Sequence, residues 1–119
     1  MKLPGRDHPI TIARNAKRVR VIFAGQTIAD TTQALTLREA AYAPVHYIPR
    51  VDVAMNLLKP TTRASHCPYK GDANYFSIEA GGRNAENAVW SYEQPYPAMN
   101  EIKEYLAFYP SRVDAIEES

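Results

Sequence analysis

The chain has 119 residues, of which 45% are hydrophobic and 23% charged, with a formal net charge of +1. That length suits one domain around one core, with a radius of gyration of roughly 14 Å, and the balance excludes a largely disordered chain and a global electrostatic pull toward nucleic acid or a membrane surface. No apolar run approaches the ~18 residues of a spanning helix, and the single cysteine, Cys67, excludes an internal disulfide and every multi-thiolate zinc site.

No metal and no cofactor are therefore expected. Met1-Lys2-Leu3-Pro4-Gly5-Arg6 carries charge with no apolar stretch behind it, so it does not read as a secretory signal, and a cytoplasmic location is the expectation. Residues 1–7 read as a flexible lead, 8–117 as a single β domain and 118–119 as an acidic tail. Arg14, Lys17, Arg18 and Arg20 cluster early; a solvated strand face is the simpler account of them, a phosphate-binding surface the alternative.

In chain order, the first predicted strand covers residues 18–24, where Val19, Val21 and Phe23 alternate. Gly25-Gln26 reads as a type II′ turn, returning residues 27–30 antiparallel with Ile28 opposite Phe23. Residues 34–39 suit a strand better than a short helix. After Tyr42-Ala43-Pro44, residues 45–48 form another strand, stopped by Pro49. Residues 51–58 read as one or two helical turns ended by Lys59-Pro60. Residues 73–80 and 84–92 form a second hairpin about Gly81-Gly82, with Ala88, Trp90 and Tyr92 on one face. Pro97 opens a helix over residues 98–106, carrying Met99, Ile102, Tyr105 and Leu106 at helical spacing. Residues 112–116 read as a last edge strand. Two hairpins, isolated strands, one late helix and a short helical turn make the chain mainly β and antiparallel.

Ser65-His66-Cys67-Pro68-Tyr69-Lys70-Gly71-Asp72, set between two expected strands, concentrates the reactive side chains. A nucleophilic cysteine needs a nearby cation and a base within reach, and Lys70 and His66 are the right types. Pro68 biases Cys67 toward an extended backbone, however, which sends His66 to the opposite side. The bland alternative is a half-buried cysteine acting as a small apolar residue. Gly71 reads as a turn residue feeding the next strand, not as part of a phosphate loop. Eight tyrosines and one tryptophan could wall a pocket with cations at its mouth, or serve as ordinary core, Trp90 in particular.

Several runs are distinctive together: Arg18-Val19-Arg20-Val21, Leu37-Arg38-Glu39, Tyr47-Ile48-Pro49-Arg50, His66-Cys67-Pro68-Tyr69-Lys70-Gly71-Asp72-Ala73, Trp90-Ser91-Tyr92-Glu93 and Phe108-Tyr109-Pro110. Over about residues 8 to 117 the chain resembles the family called domain of unknown function 427. The resemblance implies an antiparallel β-tent (Mss4-like), the architecture of methionine sulfoxide reductase B and of the thalidomide-binding domain of cereblon. Those proteins hold zinc with two Cys-x-x-Cys pairs; this chain has neither, so their metal is not carried over. Some members of the family are labelled nucleotidyltransferase-like, but no Gly-Ser followed by Asp-x-Asp is present to hold magnesium. Ala40-Ala41 and Ala43 stand where the family commonly has Gly-Gly and Pro, and His46 where an aromatic residue is common.

The expected function is a pocket that binds a small polar or anionic molecule, with Arg38, Tyr47, Arg50, Lys70, Tyr75, Trp90 and Tyr92 around it. A small-molecule ligand is the expected partner, with neither nucleic acid nor membrane, and the sequence leaves the oligomeric state open. Two other readings stand beside it: a thiol-dependent hydrolase, transferase or redox enzyme using Cys67, with His66 and Lys70 as helpers, and a protein-interaction module that recruits a partner at a sheet edge.

Overall fold

Alternating apolar residues set several of the strands, and glycine or proline stops some of them. The computed structural model describes residues 1–119. Its ten strands are β1 (Ile10–Arg14), β2 (Val19–Phe23), β3 (Gln26–Thr31), β4 (Leu35–Glu39), β5 (Val45–Tyr47), β6 (Leu58–Cys67), β7 (Gly71–Ala80), β8 (Arg83–Ser91), β9 (Leu106–Phe108) and β10 (Ala115–Glu118). They build three antiparallel sheets, ordered β1-β4-β5, β10-β2-β3 and β6-β7-β8-β9. The chain is thus mainly β, as expected. All helical turns are short 3-10 segments, and no helix is long and apolar enough to cross a membrane.

The first hairpin forms, but its turn lies one residue earlier than expected. Ala24 and Gly25 both have positive φ, 52° and 72°, which is a type I′ turn whose twist matches the flanking strands. Gln26, not Ile28, then faces Phe23, and a register shift beside Val21 lets Ile28 and Ala29 both turn inward. The second hairpin turns at Gly81-Gly82 as expected. A Cβ on Gly81 would come within 2.9 Å of the Ala24 Cβ, so the two turns abut at their tips.

Two further expectations are corrected. The late helix over residues 98–106 is a 3-10 segment, Pro97–Ile102, kinked at Met99, and Leu106 lies instead in β9, paired with Ser91. A segment this short gains little from helical hydrogen bonds, whereas β9 satisfies its backbone against β8 and buries Leu106, Ala107 and Phe108. Lys59-Pro60 does not end a helical region; it lies inside β6, ten residues long. Proline is tolerated there because β6 is the sheet's edge and the ladder is interrupted between Pro60 and Ala64. Residues 51–58 supply the expected short turns, Arg50–Asp52 and Met55–Leu57, before β6. Both chain ends are tied by backbone bonds: Lys2 N donates to Pro68 O at 2.7 Å, and Ser119 exchanges two bonds of 2.9 Å with Arg18.

Ile48 and Leu106 exchange backbone hydrogen bonds of 2.8 and 2.9 Å, joining the first sheet to the third. The Cα radius of gyration, 14.0 Å, is that of one compact body. Within it the apolar residues separate into two groups. The larger is mostly aliphatic, with Val19, Val21, Ile28, Ile78 and Val89 alongside Phe23, Phe76 and Phe108. The smaller is aromatic, with Tyr47, Tyr75 and Tyr92 packed against Leu37, Met99 and Ile102, and it holds the site.

Candidate functional site

The run from Ser65 to Asp72 is a hairpin, not a loop between separate strands. Cys67 ends β6 opposite Gly71, His66 faces Asp72, and Pro68-Tyr69-Lys70 make the turn. Gly71 takes φ +107°, a value side chains rarely adopt, as its place in the sequence suggested. The turn brings Lys70 inward, where only 7% of it is exposed.

A buried ammonium requires partners, and Lys70 has them. Its Nζ donates to Glu39 Oε1 at 2.5 Å and to Cys67 Sγ at 3.5 Å. The other Glu39 oxygen accepts from His8 Nε2 at 2.7 Å, and the His8 ring stacks on Tyr69 with centroids 4.1 Å apart. Burial pushes the Glu39 carboxyl up, but the hydrogen bonds from Lys70 and His8 outweigh it and hold it below its ordinary value.

Lys70 and Glu39 line a cleft of about 240 Å³ whose other walls are Tyr47, Tyr75, Trp90, Tyr92 and Tyr109 with Leu37 and Val45; Tyr42 and Ala43 complete it. The aromatic rings brace one another. Trp90 packs on Tyr109 with centroids 4.4 Å apart, meets Tyr47 edge-on, and donates its indole N–H to the Tyr47 hydroxyl at 3.2 Å. Tyr75 bonds Ser65 Oγ at 2.8 Å and Tyr109 Oη at 3.5 Å, and the Arg63 guanidinium lies over its ring at 4.9 Å.

Burial raises the Tyr47 phenol, and burial with the nearby Tyr47, Cys67, Tyr75 and Glu39 raises that of Tyr92, so both are neutral hydrogen-bond donors at ordinary pH. Burial and the bond to Tyr75 push Tyr109 up to about 12. Tyr92 is 7% exposed, and its hydroxyl has no partner within the chain. No fully buried polar atom is left without a partner, so that hydroxyl keeps some exposure, and Tyr92 is among the residues that line the cleft. Lys70, with three N–H donors and two occupied, has one more to offer. An aromatic-walled cleft with unspent donors beside a neutralised cation can hold the acceptor end of a small molecule.

Of the residues expected around a pocket, Tyr47, Lys70, Tyr75, Trp90 and Tyr92 meet here. Arg38 and Arg50 do not. Arg38 is exposed and lies in a separate polar groove with Arg14, Lys17, His46 and Glu118. Arg50 clamps the third sheet, donating to Glu104 O, Ser91 Oγ and Glu93 Oε2 at 3.1 to 3.3 Å. Of the thiol candidates, Cys67 is half-buried against Lys70 but does not line the cleft, and His66 is exposed and paired with Asp72 at 2.7 Å. Trp90 is a half-buried wall, not full core.

Tyr109 and Tyr42 on the cleft wall and His8 behind it were not singled out beforehand, whereas Glu39 stands, with Arg38 and Arg50, among the charged strand-end residues that suit a pocket rim or an ion pair. Glu39 had a readable signal: it shares the parity of Leu35 and Leu37 in β4, so it points inward where Arg38 points out. Arg18 and Arg20 are engaged by Asp30 and Glu117 on neighbouring strands, as a solvated strand face requires.

The curated proteins provide no match to the chain. The family model described as Domain of unknown function (DUF427) matches residues 11–119, nearly the whole length, and the chain belongs to that family.

Proposed function

We propose that this protein binds a small molecule in the aromatic cleft, with a hydrogen-bond-accepting head, neutral or anionic, set against Lys70 and Tyr92. The carrying observation is the Tyr92 hydroxyl, deep in an aromatic wall and without a partner in the chain. A donor placed there gains most when a ligand supplies the acceptor. The β-tent (Mss4-like) reading belongs to the same proposal, supported by three small antiparallel sheets, of which β1-β4-β5 and β6-β7-β8-β9 pack about one aromatic group. A cytoplasmic location suits the lone thiol of Cys67.

Trp90, the only tryptophan, lines the cleft and reports on it by fluorescence. Phenylacetate and phenylacetamide should give saturable changes, and phenethylamine, which presents a donor, should not. Lys70→Met and Tyr92→Phe should each weaken binding about tenfold, the loss of one good hydrogen bond. Saturation by none of the three compounds, or wild-type affinity retained by both variants, would refute the reading.

Thiol chemistry at Cys67 draws on one contact, the Lys70 ammonium 3.5 Å from Sγ. Iodoacetamide alkylation of the folded protein tests it: a fast phase slowed by Lys70→Ala would support a reactive thiol, and a uniformly slow reaction would remove this reading.

A further inference from the structure

The cleft is small for a ligand site. At about 240 Å³ it falls below the ~300 to 1,000 Å³ usual for small-molecule pockets. A second cleft, of about 310 Å³, lies where the three sheets meet, between Val21 of β2, Ile48 after β5, Phe108 of β9 and Ile116 of β10. Six of its nine lining residues are hydrophobic, and none is a lysine, arginine or carboxylate. Val45 and Trp90 line both clefts and are therefore the partition between them. One chamber offers donors and the other offers none beyond His46, whose ring nitrogens are engaged by Thr36 Oγ1 and Glu118 Oε1 at 2.9 and 3.0 Å.

Resting on the small-molecule reading above, we infer that the two clefts form a single two-chambered site for an amphipathic ligand: an acceptor head beside Lys70 and Tyr92, and an unbranched apolar body crossing Trp90 into the second chamber. The two volumes, 240 and 310 Å³, add to about 550 Å³, within the usual range. The occupant of the apolar chamber is the body of the same molecule whose head the first chamber holds. Val21, Ile48 and Phe108 are almost fully buried, so their strands already fix the chamber's floor. The half-buried indole is the element that must shift to admit a chain.

The probes are the straight-chain carboxylates butanoate, hexanoate, octanoate and decanoate, titrated by calorimetry and Trp90 fluorescence. Burial of each added methylene should tighten binding about three- to fourfold until the apolar chamber is full. Ile116→Phe, which fills that chamber only, should abolish the dependence on chain length while leaving butanoate and phenylacetate unchanged. Pro44→Trp, at an exposed rim position, is a second plug, so a folding defect in the first does not decide the result. If affinity is independent of length while phenylacetate still binds through Lys70, or if length dependence survives both plugs, the two-chamber inference is overturned and the binding reading stands. If neither phenylacetate nor any of the carboxylates binds, both fall.

Discussion

Lys70→Met keeps the side-chain length and removes the ammonium, which leaves the Glu39 carboxylate with His8 alone. Removing one partner of a buried ion pair costs about 3 to 5 kcal/mol. Here the Glu39 side chain keeps 14% of its exposure and its bond from His8, so the expected loss at neutral pH is about 2 kcal/mol. With a urea slope of roughly 1 to 3 kcal/mol/M, the midpoint should fall by about 1 M. In the wild type the folded Glu39 value is depressed, so its contribution is complete above the ordinary carboxyl range, about pH 4, and is lost as pH falls below it. In the variant, burial acts with one donor fewer and the carboxyl moves upward; protonation then relieves the unpaired charge. The difference between the two proteins should therefore narrow as pH falls toward about 4. Adding Glu39→Gln to Lys70→Met should return stability to within about 1 kcal/mol of wild type, since no stranded charge remains. A single-variant loss below about 0.5 kcal/mol, or a double variant as costly as the sum of the two single changes, would refute this account of the pair.

Alkaline titration followed by tyrosinate absorbance should show Tyr47 and Tyr92 ionising after the exposed tyrosines: their raised folded values give stability that is complete below about pH 10 and lost as pH rises further, and Tyr92→Phe should remove one late proton. Early ionisation of all eight tyrosines while the fold persists would contradict it. Gly81→Ala should cost about 2 kcal/mol in urea unfolding, from φ +57° and the Ala24 methyl, and Gly82→Ala, with open space around it, about 1 kcal/mol; equal losses would show that the two turns do not press together. Trp90→Ala should cost about 2 kcal/mol, short of the ~3 to 5 kcal/mol of a full core aromatic, because the indole is only partly buried. A loss of 4 kcal/mol or more, roughly that of a core residue, would make Trp90 packing and not a wall.

The alternation of Val19, Val21 and Phe23 and the Gly81-Gly82 turn made both hairpins legible, because one face of each is buried and the period of two is written in the residues. β6 left no such trace. It is an edge strand with Leu58 its only fully buried residue, so its exposed positions carry no hydrophobic period, and Pro60 reads as a breaker. Met99 and Ile102 are buried in a 3-10 segment and not in the expected helix, since spacing of three fits a 3-10 turn as well as a helix. At the site, the aromatic walls were visible from composition and the hairpins. The cations were harder: Arg38, Arg50 and Lys70 are alike in sequence, and only the turn before Gly71 shows which one is carried inward.

β6 also bears on how the protein meets other chains. An open sheet edge offers unpaired backbone groups to any extended segment that approaches. Pro60 offers no N–H, and Lys59 and Arg63 are exposed along the same strand. A visiting segment would meet a strand with one donor missing beside two positive charges. The missing donor and the two cations work against pairing of a peptide at this edge and against edge-to-edge growth of the four-stranded sheet.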